Sequence, residues 1–137
     1  MERAGMTEAR RYVLIIDDHD DSRELLVEIL REGGFHTVTA VSGPEGLERL
    51  RSAVTLPFLI LTDVAMPDMD GATFRERQVA DPRLANIPVV LVSAHHDLQR
   101  LGPKLGLDTL QKPIDLRRVL ELVRRAARGT SPSAADR

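Results

Sequence analysis

The sequence predicts an α/β fold: a five-stranded parallel sheet with helices on both of its faces. Short apolar segments alternate with segments whose apolar residues recur at helical spacing. The third apolar segment, residues 58–61, has no polar residue, which is typical of a strand covered on both faces. Strands that alternate with helices in this way form a parallel sheet with right-handed crossovers. The 137 residues are enough for one domain with a core and too few for two ordinary ones.

The strands and helices are predicted from local patterns, taken in chain order. The predicted strands are residues 12–16, 35–40, 58–61, 88–92 and 107–111. Asp20, Asp21 or Ser22 can cap the first helix, and the glycines at 33–34 end it. The segment 42–45 opens the second helix, which ends near residue 53, and the third helix spans residues 71–80.

The fourth and fifth helices differ in the strength of their patterns. The segment 95–105 has leucines at helical intervals but contains Gly102 and Pro103, so we expect a short or kinked helix there. The last helix has a clear apolar face, and Gly129 ends it. The residues predicted on that face are Leu116, Val119, Leu120, Val123 and Ala127.

Composition and charge exclude several classes of protein. The chain is 42% hydrophobic and 29% charged, with a net charge of −2, so we expect no direct binding of nucleic acid and no membrane association. The absence of cysteine excludes disulfides and thiolate metal sites and fits a cytoplasmic location. We predict a flexible N-terminal lead over residues 1–11, one domain over residues 12–128 and a polar tail over residues 129–137.

Polar side chains follow four of the five predicted strands. Asp17 and Asp18 follow the first strand, Asp63 the third, Ser93 the fourth and Lys112 the fifth. Because the carboxyl ends of parallel strands meet at one edge of a sheet, we expect these groups to share a pocket. Close carboxylates repel by roughly 4 kcal/mol per pair at an effective dielectric constant near 20. The acids therefore call for a cation, and Mg²⁺ is the natural choice since it prefers oxygen ligands.

A carboxylate beside such an ion can act as a nucleophile toward phosphorus, while the metal and an ammonium group stabilise the developing charge. Asp63 is the best candidate because it lies centrally, between the acid pair and the Ser93 and Lys112 side chains. Simpler explanations exist for single residues: an acid after a strand often caps a turn, and Asp68 and Asp70 are predicted to serve the turn before Gly71.

These motifs, taken in order, resemble the receiver domain of two-component response regulators. The segments that carry the resemblance are Ile16-Asp17-Asp18, Asp63 with Met66-Pro67-Asp68-Met69-Asp70-Gly71, Ser93-Ala94, and Lys112-Pro113. The resemblance covers about residues 12–128 and implies a (βα)5 flavodoxin-like receiver fold of the stand-alone type.

The resemblance implies a role for each site residue. Asp63 would accept a phosphoryl group from a histidine kinase or histidine phosphotransfer protein. Asp18 and Asp63 would bind Mg²⁺ (or Mn²⁺) directly, Asp17 through water, and Ala65 through its backbone carbonyl. Ser93 and Lys112 would each bind a phosphoryl oxygen, and the movement of Ser93 toward the phosphate would switch a protein-interaction face.

The resemblance also implies how the signal leaves the domain. We expect a downstream protein target, and a homodimer through helix four, strand five and helix five is one arrangement that the family allows. The family often has an aromatic residue shortly before the lysine, whereas this chain reads Asp108-Thr109-Leu110-Gln111. His95, two residues after Ser93, is a hypothetical gate for access to Asp63.

Three functions remain in competition. The first is a phosphoacceptor that is not a conventional enzyme but catalyses its own Mg²⁺-dependent phosphorylation and dephosphorylation at Asp63. The second is a pseudo-receiver that binds partners without phosphate. The third is an aspartyl-phosphate phosphohydrolase, which needs an acid two residues after the nucleophile, where this chain has Ala65.

Overall fold

Strands and helices alternate along residues 11–129, which are the residues that the computed structural model describes. The strands are β1 (Tyr12–Ile16), β2 (His36–Ala40), β3 (Leu59–Thr62), β4 (Val89–Ala94) and β5 (Asp108–Lys112). The helices are α1 (Asp20–Glu32), α2 (Gly43–Ser52), α3 (Gly71–Val79), α4 (His95–Leu105) and α5 (Leu116–Ala127). Apart from Arg11 and Gly129, the predicted N-terminal lead and polar tail lie outside the described residues, so these two boundaries stay predictions.

The sheet confirms the predicted fold class. All of its strand pairs are parallel, and the strand order is β2-β1-β3-β4-β5. The chain steps from β1 outward to β2 and then returns past β1 to β3, so the winding direction reverses between β1 and β3. In sheets of this kind ligands bind outside the carboxyl ends of the strands at that reversal.

Alternate residues of the strands supply two separate cores, one on each face of the sheet. In β1, Val13 and Ile15 pack with α1 and α5, whereas Leu14 and Ile16 pack with α2, α3 and α4. Successive side chains of a strand point to opposite faces, so a strand that is covered on both faces is apolar along most of its length. β3 is fully buried, and this burial fixes the position of the residues that follow it.

The helix starts agree in part with the sequence prediction. Ser42 caps α2, since its side chain accepts a hydrogen bond from the Glu45 backbone N–H at 3.2 Å. The prediction for α1 was wrong, because the N-cap position is His19, whose side chain makes no capping bond. Asp20 and Asp21 lie in the first turn of α1, where their negative charges interact favourably with the helix dipole.

The last two helices correct the sequence prediction. α4 is not short: it spans His95–Leu105 with Pro103 inside it. Pro103 lies in the last turn, where its missing N–H removes a single helical hydrogen bond, and the buried Leu98 packs α4 onto the sheet. In α5 the buried face is rotated from the predicted one. Its buried residues are Val119, Leu122, Val123 and Ala126, while Leu116 is 49% exposed.

A buried glutamine fixes the connection between α3 and β4. Gln78 is 0% exposed, and its side-chain N–H groups donate to the backbone carbonyls of Leu84 and Ile87 at 2.9 and 3.0 Å. Arg75 donates in turn to the Gln78 side-chain oxygen at 2.9 Å. The glutamine therefore gives the Ile87 carbonyl a partner and adds a second donor to the Leu84 carbonyl, which also accepts from the Ile87 N–H at 3.2 Å.

We expect Gln78→Ala to lower the free energy of unfolding by about 2–4 kcal/mol, because it creates a cavity and removes the side-chain donor of the Ile87 carbonyl. Chemical denaturation monitored by circular dichroism measures the change. Gln99→Ala, at an exposed position of α4, is the matched control and should change stability by less than about 0.5 kcal/mol. Equal effects of the two substitutions would contradict the structural role of Gln78.

Within the described part of the chain, every helix is too short or too polar to cross a membrane.

Candidate functional site

Two acidic side chains come together because β1 and β3 are neighbours in register. Ile16 pairs with Thr62, so the next residues of the two strands, Asp17 and Asp63, lie side by side. The Asp63 backbone N–H continues the ladder by donating to the Ile16 carbonyl at 2.9 Å. Asp17 and Asp63 are only 1% and 2% exposed. The sheet therefore holds two carboxylates in a buried position, which is costly unless cations or hydrogen bonds stabilise them.

Asp63 receives hydrogen bonds on both of its carboxylate oxygens. Oδ1 accepts from the Ser93 hydroxyl at 2.6 Å and from the Ala65 backbone N–H at 3.1 Å. Oδ2 accepts from Lys112 Nζ at 3.0 Å. Ser93 and Lys112 come from β4 and β5, which follow β3 in the sheet. The order of the strands thus places a hydroxyl and an ammonium group on one side of Asp63, as the sequence led us to expect.

Lys112 bridges the two buried acids. Its Nζ lies 3.1 Å from Asp17 Oδ2 as well as 3.0 Å from Asp63 Oδ2. Burial by itself would lower the pKa of Lys112, but the hydrogen bond with Asp63 and the negative charges of Asp63 and Asp17 outweigh burial, and the pKa is raised above 10.5. The lysine is therefore protonated at neutral pH and carries a fixed positive charge next to Asp63.

The acids still exceed the cations at this edge of the sheet. Asp17, Asp18 and Asp63 supply three carboxylates against the single Lys112 ammonium. Asp17 Oδ2 and Asp18 Oδ1 are buried and accept no well-formed hydrogen bond from the described residues, although Lys112 lies within ion-pair distance of the former. Carboxylate oxygens with free lone pairs in a buried site are the donors that a hard divalent cation prefers. The residues present therefore fit such an ion.

His19 belongs to the same cluster, and the sequence reasoning missed it. Its Nδ1 lies 3.4 Å from Asp17 Oδ1, 3.3 Å from Asp18 Oδ1 and 3.8 Å from Asp63 Oδ2. One ligand atom from each of these four side chains lies within 4.8 Å of the others. The sequence feature that could have indicated a role for His19 is its position directly after the acid pair Asp17-Asp18.

The loop after β3 folds back so that α3 begins beside the site. The Gly71 backbone N–H donates to the Val64 carbonyl at 2.7 Å, and a Cβ at position 71 would lie 3.1 Å from Val64 Cα. A side chain there would push the loop outward. Asp70 caps α3 by accepting from the Thr73 backbone N–H at 2.8 Å, so its side chain serves the start of the helix rather than the turn before Gly71.

A cavity of about 770 Å³ lies over these groups, and Asp18, Asp63, Ala65, Ser93 and Lys112 all line it. The site residues predicted from the sequence therefore meet at one place, with Asp17 buried directly beneath. His95 does not line this cavity. Its Nδ1 lies 2.9 Å from the side-chain oxygen of Gln111, and both residues line a separate groove between α4 and β5.

Comparisons with known proteins agree with this arrangement. Residues 13–124 match the family model of the response regulator receiver domain. Protein Rrf1 of Nitratidesulfovibrio vulgaris is 31% identical over 128 residues, which are 90% of this chain and 90% of that protein. The response regulator PleD of Caulobacter vibrioides is 38% identical over 109 residues, which are 75% of this chain and 23% of PleD.

Solved structures show the same fold. The signal receiver domain of a signal transduction histidine kinase from Syntrophus aciditrophicus has a TM-score of 0.76 and 32% identity, over 87% of this chain and 91% of that one. Several relatives are much longer than this chain, which covers 23% of PleD and 28% of the transcriptional regulatory protein ZraR of Salmonella typhimurium. Two further relatives carry the names sensor histidine kinase CheAY, from Helicobacter pylori, and hybrid signal transduction histidine kinase D, from Dictyostelium discoideum.

Proposed function

This chain belongs to the family of response regulator receiver domains, and from that premise we propose that Asp63 is the residue that accepts the phosphoryl group. The observation that carries the proposal is the set of contacts around Asp63. It is 2% exposed, it faces the cavity, and Ser93 and Lys112 bond its two oxygens. A nucleophile needs a fixed position and partners that stabilise charge on the transferred group, and these contacts supply both.

In the proposed reaction an oxygen of Asp63 attacks the phosphorus of a phosphohistidine. The P–O bond forms as the P–N bond breaks, and the departing imidazole keeps the electron pair of that bond and takes up a proton. Ser93 and Lys112 then exchange their bonds to the carboxylate for bonds to phosphoryl oxygens. Hydrolysis of the acyl phosphate restores the carboxylate, so the domain returns to its starting state without a further protein.

A divalent cation, Mg²⁺ or Mn²⁺, completes the proposed site. Asp18 and Asp63 would hold it directly and Asp17 through water, while the Ala65 backbone carbonyl is the remaining predicted ligand. When bound, the ion neutralises the excess carboxylate charge and the charge that develops on the phosphoryl oxygens. The support is the excess of carboxylates and the buried oxygens of Asp17 and Asp18 that lack well-formed hydrogen bonds.

The proposed phosphodonor is a histidine kinase or a histidine phosphotransfer protein. Receiver domains interact with such proteins, and two relatives of this chain are named as histidine kinases. A downstream protein target and a homodimer through α4, β5 and α5 belong to the same proposal. The support for this part of the proposal is the groove of about 430 Å³ between α4 and β5, whose lining includes His95 and Gln111. The cytoplasmic location stays a prediction from composition.

The proposal is tested by intact mass spectrometry after incubation with Mg²⁺ and acetyl phosphate, a small donor that removes the need for the kinase. We expect the mass of one phosphoryl group to be added, and none to be added when a chelator replaces Mg²⁺. Folded protein that gains no mass with Mg²⁺ present would contradict the proposal and favour the pseudo-receiver, which binds partners without phosphate.

Mg²⁺ is expected to stabilise the folded protein. At a concentration about 100-fold above its dissociation constant, an ion that binds only the folded state adds about 2.7 kcal/mol to the free energy of unfolding. Thermal denaturation with and without Mg²⁺ measures this effect. In Asp18→Asn we expect most of the Mg²⁺ effect to be lost, while stability without the ion should rise because one repelling charge is removed. A full Mg²⁺ effect in Asp18→Asn would place the ion elsewhere.

A further inference from the structure

The His19 imidazole is not needed for the proposed phosphoryl transfer, yet it lies among the acids of the site. Its Nδ1 is 3.3–3.8 Å from oxygens of Asp17, Asp18 and Asp63. The residue is also fixed by its backbone, since the His19 N–H donates to Asp17 Oδ1 at 2.9 Å. The ring is 64% exposed, so it forms the outer wall of the cluster and solutes can reach it.

The surroundings of Nδ1 point to a shared cation. In a neutral imidazole a ring nitrogen that faces carboxylate oxygens either donates a proton to them or presents its own lone pair. With a lone pair, Nδ1 and three carboxylates would all be acceptors around one point. Two of these oxygens already accept a hydrogen bond, Asp17 Oδ1 from the His19 N–H and Asp63 Oδ2 from Lys112. The repulsion that remains becomes an attraction when a metal ion lies between the four groups, because each of them can then donate a lone pair to the ion.

The spacing of the four groups suits one ion. For metal–ligand bonds of about 2.1 Å, neighbouring ligand atoms of an octahedral ion lie roughly 3.0 Å apart and opposite ones roughly 4.2 Å apart. The distances from Nδ1 to the three carboxylates, 3.3, 3.4 and 3.8 Å, fall between these limits. The whole set, within 4.8 Å, needs only a small contraction to share an ion. Independently, Asp17 is 99% buried, and its Oδ2, although 3.1 Å from the Lys112 ammonium, accepts no well-formed hydrogen bond.

We infer that His19 is a metal ligand and that it makes this site bind imidazole-preferring transition-metal ions, such as Co²⁺, Ni²⁺ or Zn²⁺, in preference to Mg²⁺. The inference rests on the proposed ion site, adds a nitrogen donor to it and, unlike the arrangement proposed for Mg²⁺, has Asp17 donate to the ion directly. Mg²⁺ is a hard cation that prefers oxygen and keeps several of its waters, so an imidazole adds little to its binding. Transition-metal ions bind imidazole strongly, and their affinities rise from Mn²⁺ through Co²⁺ to Ni²⁺.

The test is isothermal titration calorimetry with Co²⁺ and with Mg²⁺, at one fixed pH and on protein without a histidine tag. We expect His19→Ala to lose about tenfold or more of its Co²⁺ affinity, the size of effect known for residues that support metal sites. Its Mg²⁺ affinity should stay within about threefold of the starting value, because the oxygen ligands remain.

A second variant identifies the nitrogen that binds. The chain has 4 histidines, and replacing His36, His95 and His96 by Ala leaves His19 as the only one. This variant should keep the full Co²⁺ affinity, and its Co²⁺ complex should show a single paramagnetically shifted imidazole N–H signal by NMR. Loss of Co²⁺ binding in this triple variant would overturn the inference, because the nitrogen ligand would then be another histidine.

The remaining outcomes separate this inference from the proposed function. If His19→Ala strengthens Co²⁺ and Mg²⁺ binding alike, the ring acts as a competing positive charge and the inference is overturned. An unchanged Co²⁺ affinity in His19→Ala overturns it as well, while Mg²⁺ binding to the starting protein leaves the proposed function intact. If the folded protein binds neither ion, both the inference and the proposed ion site are wrong.

Discussion

Replacing Asp63 by Asn is expected to abolish the phosphoryl adduct completely, which is the largest effect of any single substitution in this domain. The amide has nearly the same shape as the carboxylate, and its single oxygen can keep either the bonds of Oδ1 with Ser93 and the Ala65 N–H, at 2.6 and 3.1 Å, or the bond of Oδ2 with Lys112, at 3.0 Å. It is, however, neutral and a poor nucleophile, so the reaction loses its attacking group while the site keeps its geometry. Intact mass after incubation with acetyl phosphate and Mg²⁺ measures the effect.

Asp68→Asn provides the matched control. Asp68 is an exposed acid five residues further along the same loop, so its loss changes the net charge by the same amount without touching the cavity. We expect it to be phosphorylated to the same extent as the unaltered protein. An adduct that persists in Asp63→Asn would show that another side chain accepts the phosphoryl group, and peptide mapping would identify it. Circular dichroism of both variants establishes that they are folded.

The strands and the positions of the main site residues could be predicted because they depend on strong local patterns. Residues 58–61 are apolar without interruption. Such a run is the sequence pattern of a strand that is covered on both faces, and β3 is indeed fully buried. Once the strands are parallel, the residue that follows each strand must lie at the same edge. The convergence of Asp17, Asp63 and Lys112 therefore follows from topology, without any knowledge of side-chain conformation.

Features that depend on contacts between distant segments could not be predicted. Gln78 looks like a surface residue of a helix in the sequence, because a polar residue inside a helix usually faces solvent. Only the return of the chain at Leu84 and Ile87 brings backbone carbonyls to the buried amide of Gln78. His19 was missed for a similar reason, since a single histidine after an acid pair has no periodicity that distinguishes a ligand from a surface group.

The rotation of α5 shows the limit of helical periodicity. Leu120 and Leu122 are both apolar, so residues 116, 119, 120, 123 and 127 and residues 119, 122, 123 and 126 each form a stripe at helical spacing. The structure buries the second stripe and leaves Leu116 exposed. Leu120 instead lies over Gly33, where an added Cβ would come within 2.7 Å of its Cδ2. The packing of α1 against α5 decides the rotation, and this contact is not encoded in either helix alone.

Removal of the ammonium group at position 112 is expected to slow phosphorylation by about 100-fold, the effect typical of losing one group that stabilises transition-state charge. Lys112 Nζ touches both Asp63 and Asp17, and the raised pKa of Lys112 keeps it charged at neutral pH. In Lys112→Met the alkyl stem remains, but negative charge on the transferred group has lost its positive partner. The rate of adduct formation at saturating acetyl phosphate and Mg²⁺ measures the loss.

Lys112→Arg separates charge from geometry at the same position. The guanidinium keeps the positive charge but is planar and larger than an ammonium group, so it cannot occupy the same point between Asp63 and Asp17. We expect a rate between those of the starting protein and Lys112→Met. Arg118→Met, which removes a positive charge from α5 where Arg118 pairs with Glu121, should leave the rate unchanged. If Lys112→Met were phosphorylated as fast as Arg118→Met, the ammonium would serve only to balance the buried acids and would take no part in phosphoryl transfer.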